Sequence, residues 1–490
     1  MMMKKLRIQN ILLLMFCAQF GFAQTASEWY AKGEKAFSEN KCKNSIEYLS
    51  KAIDMNFTPI EYAYLLRGCS KNNLDLYKEA IVDFDQAIRA NPQYANAYNH
   101  RGAAKFSSDK FQEAILDYNQ AIALKLTSAE VYANRGQSQK SIGNYNEAIL
   151  DYDKVLSLDP KFKNAYLNRG KCKSELGKQE DALLDYDKAI LLNPKNKDAF
   201  LSRGISNAEL GNHVAAILDY DQAILLDSKF KTAYYNRGFS KNKLEKHAEA
   251  ILDYDTVILL DPKYYDAYVN RGFAKAELEK YKEAIVDYDK AILIDSKDKI
   301  VYYNRGIAKA GLEKYAEAIF DFDKALLLDS KYEDAHHNRG IANSLLNRTA
   351  EAILDFDKLI LLNSKYKDAY FKRGISKAVL NKNAEAILDY DKAISLDPKN
   401  SVAYSNRGYC KSELGKHLEA ILDYDKAISL DPKNVNTYNS RGACKTKLDK
   451  NKEALLDFNK ALSLDPNNSM AKENRAIIIS ILEEQKKTKK

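Results

Sequence analysis

The stretch EAILDYDKAISLDPKN occurs twice without change, at residues 385–400 and 419–434, so the two copies start 34 residues apart. The same interval separates thirteen arginines along most of the 490-residue chain, and all but the last are followed by glycine. These arginines are Arg67, Arg101, Arg135, Arg169, Arg203, Arg237, Arg271, Arg305, Arg339, Arg373, Arg407, Arg441 and Arg475. A fixed period of this length predicts a tandem array in which each repeat is one supersecondary unit.

One unit, residues 163–196, shows what each repeat forms: KNAYLNRGKCKSELGKQEDALLDYDKAILLNPKN. Repeat positions are numbered here from Lys163 as position 1. Small and apolar residues recur at helical spacing in two runs, which Gly177 separates and Pro194 ends. Neither run can bury its apolar stripe alone, so stacked neighbours complete the core. The pattern predicts an all-α chain of antiparallel helix pairs, each helix about 14 residues long.

The unit resembles a tetratricopeptide repeat. That family favours an aromatic residue at positions 4 and 24, Gly at 8, Ala at 20 and 27, and Pro at 32. The corresponding residues are Tyr166, Tyr186, Gly170, Ala182, Ala189 and Pro194. Twelve regular units and a less regular first unit give about thirteen repeats over residues 26–468. The resemblance implies a right-handed superhelical solenoid whose first helices line the concave side.

The two ends of the chain differ from the array. Lys4, Lys5 and Arg7 precede an apolar run that is followed by small residues, the order of a bacterial-type signal peptide over residues 1–23 with cleavage after Ala23. We therefore expect an exported, periplasmic or secreted protein. At the other end we expect a capping helix over residues 469–485, with apolar side chains that offer a site for self-association, and a basic tail over 486–490.

Charge and cysteine content exclude several classes of protein. Removal of residues 1–23 lowers the formal net charge from +8 to +5, and four of the remaining positive charges lie in the tail. The array is close to neutral, so it lacks the clustered basic face of a nucleic-acid binder. After signal removal no segment is expected to insert into a membrane. The five remaining cysteines are expected to be buried free thiols.

The periodic arginine is paired in sequence with a periodic aspartate at position 23. A chain that otherwise prefers lysine keeps arginine where its planar, forked guanidinium matters. We predict an internal Arg–Asp ladder, for which the pairs Arg169 and Asp185, Arg237 and Asp253, and Arg271 and Asp287 are examples. Lysines four residues after the arginine lie on the same helix face, for instance Lys173. The sequence leaves open whether each aspartate meets the arginine of its own unit or of the next.

No catalytic or metal motif occurs in the sequence, and no cofactor is expected. The Asp-aromatic-Asp triplets recur in almost every unit, whereas catalysis needs one tuned site. The chain is therefore not expected to be an enzyme. Since His336 stands at the aromatic position 4, it is expected to pack rather than to bind metal.

The resemblance places repeat positions 2, 5, 6, 9, 12 and 13 on the concave side. Asparagine recurs at position 6, and asparagines in a similar row hold extended peptide backbones in O-linked N-acetylglucosamine transferases. The alternative is that the asparagines are cap and turn residues inherited by duplication. Apolar and aromatic residues recur at positions 5 and 9, where some must pack against neighbouring units. The candidate groove residues are Asn134, Asn168, Asn236, Asn270, Asn304, Asn338, Asn406, Tyr235, Phe239, Phe273, Tyr303 and Phe371.

These observations predict a protein-interaction scaffold of the cell envelope that binds a protein or peptide across units 5 to 12. The alternative is a purely architectural spacer with no specific groove ligand. Exposed aromatic residues at positions 5 and 9 would favour the first prediction.

Overall fold

The computed structural model describes residues 24–487, which form 27 helices and no strand. The predicted signal segment and the last three residues lie outside this range. The described residues divide into two compact units, and the boundary in the chain falls between Leu244 and Glu245. The fold class predicted from the repeat, an all-α array of helix pairs, is confirmed.

The first unit contains thirteen helices. They are α1 (Ala26–Ser38), α2 (Cys42–Asp54), α3 (Ile60–Asn72), α4 (Tyr77–Ala90), α5 (Ala95–Phe106), α6 (Phe111–Ala123), α7 (Ala129–Ser141), α8 (Tyr145–Leu158), α9 (Ala165–Glu175), α10 (Gln179–Leu192), α11 (Lys197–Glu209), α12 (His213–Leu226) and α13 (Lys231–Lys243).

The second unit contains fourteen helices. They are α14 (His247–Leu260), α15 (Tyr265–Glu277), α16 (Tyr281–Ile294), α17 (Lys299–Gly311), α18 (Tyr315–Leu328), α19 (Glu333–Leu345), α20 (Thr349–Leu362), α21 (Lys367–Val379), α22 (Asn383–Leu396), α23 (Ser401–Glu413), α24 (His417–Leu430), α25 (Val435–Lys447), α26 (Asn451–Leu464) and α27 (Ser469–Lys487). Odd-numbered helices are the first helices of their repeats, and even-numbered helices are the second.

The turn inside a repeat is short and carries one residue in the left-handed conformation. After α9, Gly177 has φ +73° and its N–H donates to the Ser174 carbonyl oxygen at 2.8 Å. In most units an Asn, Asp or Glu takes this place, for example Glu279 with φ +56°. The turn reverses the chain, so the two helices of a repeat pack antiparallel.

Within a repeat the two helices approach closely at a glycine. A Cβ atom added at Gly170 in α9 would lie 2.7 Å from Cε1 of Tyr186 in α10, so only glycine leaves room for that ring. Tyr186 and Ala182 are fully buried beneath α9. The contact explains why the aromatic residue at position 24 recurs together with the glycine at position 8.

The last helix closes the second unit. Ile478 of α27 is buried against Ala454 and Phe458 of α26, while Met470 and Ile477 are exposed. Since α27 extends to Lys487, the first two residues of the predicted basic tail belong to the helix. In the part of the chain that the structure describes, no helix is both long and apolar enough to cross a membrane.

Candidate functional site

Arg169 connects two successive repeats. Its Nε and Nη2 donate to Asp185 Oδ2 and Oδ1 of its own repeat at 3.0 and 2.6 Å. Its Nη1 donates to Asp153 Oδ1 of the preceding repeat at 2.5 Å. One guanidinium therefore joins both helices of one repeat to the second helix of the repeat before it. Bidentate pairing of this kind fixes geometry as well as charge.

The own-unit pairing recurs in every regular repeat whose two helices lie in one compact unit. The pairs are Arg67 with Asp83, Arg101 with Asp117, Arg135 with Asp151, Arg169 with Asp185, Arg203 with Asp219, Arg271 with Asp287, Arg305 with Asp321, Arg339 with Asp355, Arg373 with Asp389, Arg407 with Asp423, and Arg441 with Asp457. In these repeats the aspartate at position 23 therefore pairs with the arginine of its own repeat, not with that of the next repeat.

The second of the three predicted example pairs, Arg237 and Asp253, falls at the boundary between the compact units. Arg237 lies in α13, where its Nη1 donates to Asp221 Oδ1 of α12 at 2.5 Å. Asp253 is buried in α14. Since the two residues belong to different compact units, their pairing stays a prediction.

The second aspartate of the triplet, at position 25, contacts the arginine of the following repeat. Asn119 takes this place before Arg135, and its Oδ1 accepts from Nη1 at 2.7 Å. Asn459 likewise accepts from Arg475 Nε at 2.6 Å. Arg475 follows the last complete helix pair, so this backward contact explains why the arginine persists there. The sequence reasoning missed this link, although the recurrence of an acid or amide at position 25 signals it.

A lysine and a tyrosine complete the surroundings of Arg169. Lys173 Nζ lies 2.8 Å from Asp185 Oδ2, and the Arg169 guanidinium lies 5.5 Å from the centre of the Tyr166 ring. Burial lowers the pKa of Arg169, but its hydrogen bonds to Asp185 and Asp153 outweigh burial and raise it. Arg169 is therefore a permanently charged structural residue.

Repeat position 11, four residues after the arginine, is not lysine in every repeat. Where the lysine is missing, the surroundings of the aspartate at position 23 change. Gln139 stands there in α7, and no lysine reaches Asp151 among the described residues. Burial raises the pKa of the Asp151 carboxyl, although Arg135 opposes this.

His336 is a buried structural residue in α19. Its Nδ1 lies 3.3 Å from Asp355 Oδ1 and its Nε2 lies 3.1 Å from the Ser330 carbonyl oxygen. Across residues 24–487, no group of three His, Cys, Asp or Glu side chains is arranged to hold a metal ion. The five cysteines described are buried and free, as predicted, and burial raises the pKa of Cys172 and of Cys410 to about 11.

All seven predicted asparagines lie half-buried in first helices. In three of them Nδ2 donates to the carbonyl oxygen four residues earlier in the same helix, at 2.9 or 3.0 Å. These are Asn236, Asn270 and Asn338. Asn168 is different, because its Oδ1 accepts from Lys140 Nζ at 2.9 Å. The structure gives Asn134, Asn304 and Asn406 the same helix position.

The predicted aromatic residues fall into two groups. Those at position 5 are half-buried, and two of them pack on the core: the ring centre of Tyr303 is 5.9 Å from that of Phe322, and that of Phe371 is 6.1 Å from that of Tyr390. Tyr235 is likewise half-buried. Those at position 9 are exposed, Phe239 by 37% and Phe273 by 40%. Position 9 therefore supplies the accessible aromatic surface.

Side chains of successive first helices touch on this face in the second compact unit. Asn338 Nδ2 in α19 donates to the Tyr303 hydroxyl in α17 at 3.0 Å. His337 Nε2 lies 2.7 Å from Asp368 Oδ2 in α21. Sequence reasoning placed Asn338 and Tyr303 on one face but did not pair them.

Family models described as tetratricopeptide repeat match most of the array. One covers residues 129–162, 401–434 and 435–468, a second covers 65–129 and 173–230, and a third covers 232–264, 265–298, 300–332 and 368–400. Together they span more than half of the chain. The chain belongs to the tetratricopeptide repeat family.

The similarity to a single curated protein is limited to a short segment. Heat shock protein STI1 of Saccharomyces cerevisiae is 29% identical over 75 residues, which is 15% of this chain and 13% of that protein. The match thus spans a small part of the length of that relative.

Several solved structures also have low sequence identity to this chain. MamA protein is 28% identical, with 34% of this chain and 92% of that chain covered and a TM-score of 0.33. YrrB, titled a TPR protein with an unusual peptide-binding site, is 22% identical, with 39% and 97% covered and a TM-score of 0.36. Yeast Tom70 is 19% identical, with 81% and 96% covered and a TM-score of 0.34. Tetratricopeptide membership supports a general role as a protein-interaction scaffold.

Proposed function

We propose that this tetratricopeptide protein is a non-enzymatic scaffold of the cell envelope that binds a polypeptide on the first-helix face of its second compact unit. The observation that carries the proposal is the exposure of Phe273 and Tyr409, by 40% and 52%, at position 9 of α15 and α23. Exposed aromatic side chains on a face that also presents polar groups are typical of partner sites.

Asn338 contributes an acceptor rather than a donor to this face. A carbonyl oxygen can only accept, so the bond from Asn338 Nδ2 to the Asp334 carbonyl fixes the orientation of the amide. Asn338 Oδ1 then has no partner among residues 24–487 and is not enclosed. Asn236 in the first compact unit likewise donates through Nδ2 to a carbonyl oxygen of its own helix. A ligand beside Asn338 is therefore expected to donate a hydrogen bond to its Oδ1.

Acidic side chains extend the acceptor character of the face. Positions 2, 6, 9 and 13 lie within one side of a helix at 100° per residue. From α15 to α23 the carboxylates on that side are Asp266, Glu277, Asp334, Asp368 and Glu413, and Lys372 is the basic residue there. The chemistry fits a segment that combines lysine or arginine with apolar side chains, because the cations meet carboxylates and amide oxygens.

Export through residues 1–23 remains part of this proposal. The charged, apolar and small-residue order of that segment supports it. Fractionation of cells that express the tagged chain with and without residues 1–23 tests it: we expect the complete chain outside the cytoplasm and the shortened chain inside. Equal distribution of both would contradict export.

Binding can be tested with two fluorescent peptides, one alternating lysine and leucine and the other alternating glutamate and leucine. We expect anisotropy to report binding of the lysine peptide only, weakened at least about tenfold by the double variant Phe273→Ser and Tyr409→Ser. Phe320→Ser is the matched control, since Phe320 is an exposed aromatic residue on a second helix. Equal binding of both peptides would refute the charge argument. No binding of either would favour the architectural spacer.

The predicted self-association through the C-terminal helix also remains a proposal. Exposed Met470 and Ile477 on α27 support it. Loss of association in Ile477→Lys is the result expected from this contact.

A further inference from the structure

Position 22, in the middle of each second helix, is exposed and apolar in all twelve regular repeats. Its side chains are 55–69% exposed: Val82, Leu116, Leu150, Leu184, Leu218, Leu252, Val286, Phe320, Leu354, Leu388, Leu422 and Leu456. These residues lie on the second helices, away from the first-helix face described above. We call them the outer row.

The outer row has kept its apolar character while its residues have changed. Val, Leu and Phe all occur at position 22, whereas exposed position 26 accepts Lys, Gln or Thr. Intrinsic helix propensity does not demand this, because Lys, Gln and Glu form helices as well as Leu and better than Val or Phe. Repeated duplication explains identical copies but not substitutions confined to apolar residues. A contact with an apolar partner surface explains both.

A second exposed apolar row lies on six of the same helices. Position 29 is leucine in six consecutive repeats, with 72–82% exposure: Leu191, Leu225, Leu259, Leu293, Leu327 and Leu361. In the three repeats that follow, the same position holds Ser395, Ser429 and Ser463. Residues seven apart share one helix face. In the second compact unit, α14, α16, α18 and α20 therefore each present two apolar residues outward.

The charges between the two rows are complementary to themselves. In α16, Asp289 and Lys290 occupy positions 25 and 26 between Val286 and Leu293. Asp289 is half-exposed and binds Arg305 through Oδ1 only, and Lys290 forms no ion pair with any residue from 24 to 487. The Asp-Lys order recurs in α18 and α20.

We propose that the apolar residues at positions 22 and 29 of α14, α16, α18 and α20 bind the same face of a second copy of this chain. A two-fold axis that lies between the two faces and runs perpendicular to the second helices makes the facing helices antiparallel, so residues whose repeat positions add to the same sum face each other. Position 22 then meets 29, and position 25 meets 26. Apolar side chains face apolar side chains, and the aspartates of α16, α18 and α20 face lysines, whereas Thr256 stands at position 26 of α14.

The charge pattern favours a second copy over a membrane surface. Aspartate alternates with lysine between the rows, and glutamate at position 19 adds further negative charge, for instance Glu283 and Glu317. A face of mixed sign gains little from anionic lipid headgroups. It is suited to an antiparallel copy of itself.

Sedimentation velocity across two orders of magnitude in protein concentration tests the proposal. The protein used is the chain without residues 1–23, because it keeps every helix that the structure describes. We expect a monomer–dimer equilibrium. The triple variant Leu259→Lys, Leu293→Lys and Leu327→Lys is expected to raise the dissociation constant at least about 100-fold, because three like charges replace apolar contacts. Its helical content is expected to be unchanged, since the three side chains are exposed.

The matched control is Ser395→Lys, Ser429→Lys and Ser463→Lys, which adds the same charge at the same repeat position outside the double row. It is expected to dimerise like the parent chain. A parent chain that stays monomeric, or a control that fails as badly as the leucine variant, overturns the proposal. So does a monomer that floats with anionic phosphatidylglycerol vesicles, and so does a dimer that Ile477→Lys abolishes while the leucine variant retains it. None of these outcomes depends on peptide binding to the first-helix face.

Discussion

The guanidinium of Arg169 holds the buried carboxylate of Asp185 through two hydrogen bonds, from Nε at 3.0 Å and from Nη2 at 2.6 Å. Lys173 reaches the same carboxylate at 2.8 Å. Asp185 therefore has two cations, whereas Asp151 has Arg135 and no lysine within the described array. The neutralisation of the buried carboxylate therefore depends on a single arginine at Asp151, but on an arginine and a lysine at Asp185.

The first prediction compares Arg169→Ala with Arg135→Ala. Removal of one partner from a buried ion pair costs about 3–5 kcal/mol, because the other charge stays buried. We expect Arg169→Ala near the lower end of this range, since Lys173 remains, and Arg135→Ala near the upper end. Hydrogen exchange of the backbone amides in α10 and α8 measures the two local losses separately. Equal losses would show that the lysine contributes nothing.

The second prediction separates the two aspartates of a triplet. Asp153→Asn is expected to cost less than about 0.5 kcal/mol, because Asp153 is half-exposed and exposed ion pairs contribute little. The amide oxygen can also replace the carboxylate, as Asn119 does beside Arg135. Asp185→Asn is expected to cost several times more. Thermal unfolding followed by circular dichroism compares them, and an equal drop in Tm would contradict the distinction.

Much of this architecture is predictable from the sequence because a strict period averages out local ambiguity. Recurring positions predict the helix pairs, the glycine packed against Tyr186 and the pairing of arginine with aspartate. The direction of pairing does not, since Asp185 and Asp187 lie two residues apart and recur together. The exposure of Leu184 is hidden for a similar reason: it adjoins half-buried Leu183, and a pattern of apolar residues does not tell which of two neighbours faces solvent.

The groove residues show another limit of sequence reasoning. Asparagine at position 6 suggested a donor and an acceptor for a peptide backbone. In Asn338 the donor is used within its own helix and by Tyr303. That outcome depends on side-chain rotamers and on the neighbouring repeat, which a residue type does not specify.

The third prediction concerns Gln139→Lys and pH. Burial raises the pKa of Asp151 in the folded protein above its unfolded value, so ionisation of this group destabilises the fold as pH rises through that interval. A lysine at residue 139 supplies the cation that Asp185 receives from Lys173. We expect stabilisation on the order of 1 kcal/mol at neutral pH, which is lost as the pH falls and Asp151 becomes protonated.

Thermal unfolding of both proteins at several pH values checks this, with Asn207→Lys as the comparison. Asn207 already donates to Asp219 at 3.1 Å, so its replacement is expected to gain less. A gain for Gln139→Lys that is independent of pH would mean that it does not arise from Asp151.

The last prediction concerns the left-handed residue in the turns between helices. Glu279 has φ +56°, and a residue with a Cβ atom is strained there by about 1 kcal/mol relative to glycine. Glu279→Gly is therefore expected to raise the free energy of unfolding by about that amount, although glycine also gains entropy in the unfolded chain. Glu279→Ala is the control for the lost side chain and is expected to give no gain.

Gly415→Ala is the reciprocal test: no atom lies within 4 Å of the added Cβ, so its expected loss of about 1 kcal/mol reports backbone strain alone. Chemical unfolding measures all three, and a stabilising Gly415→Ala would contradict the argument.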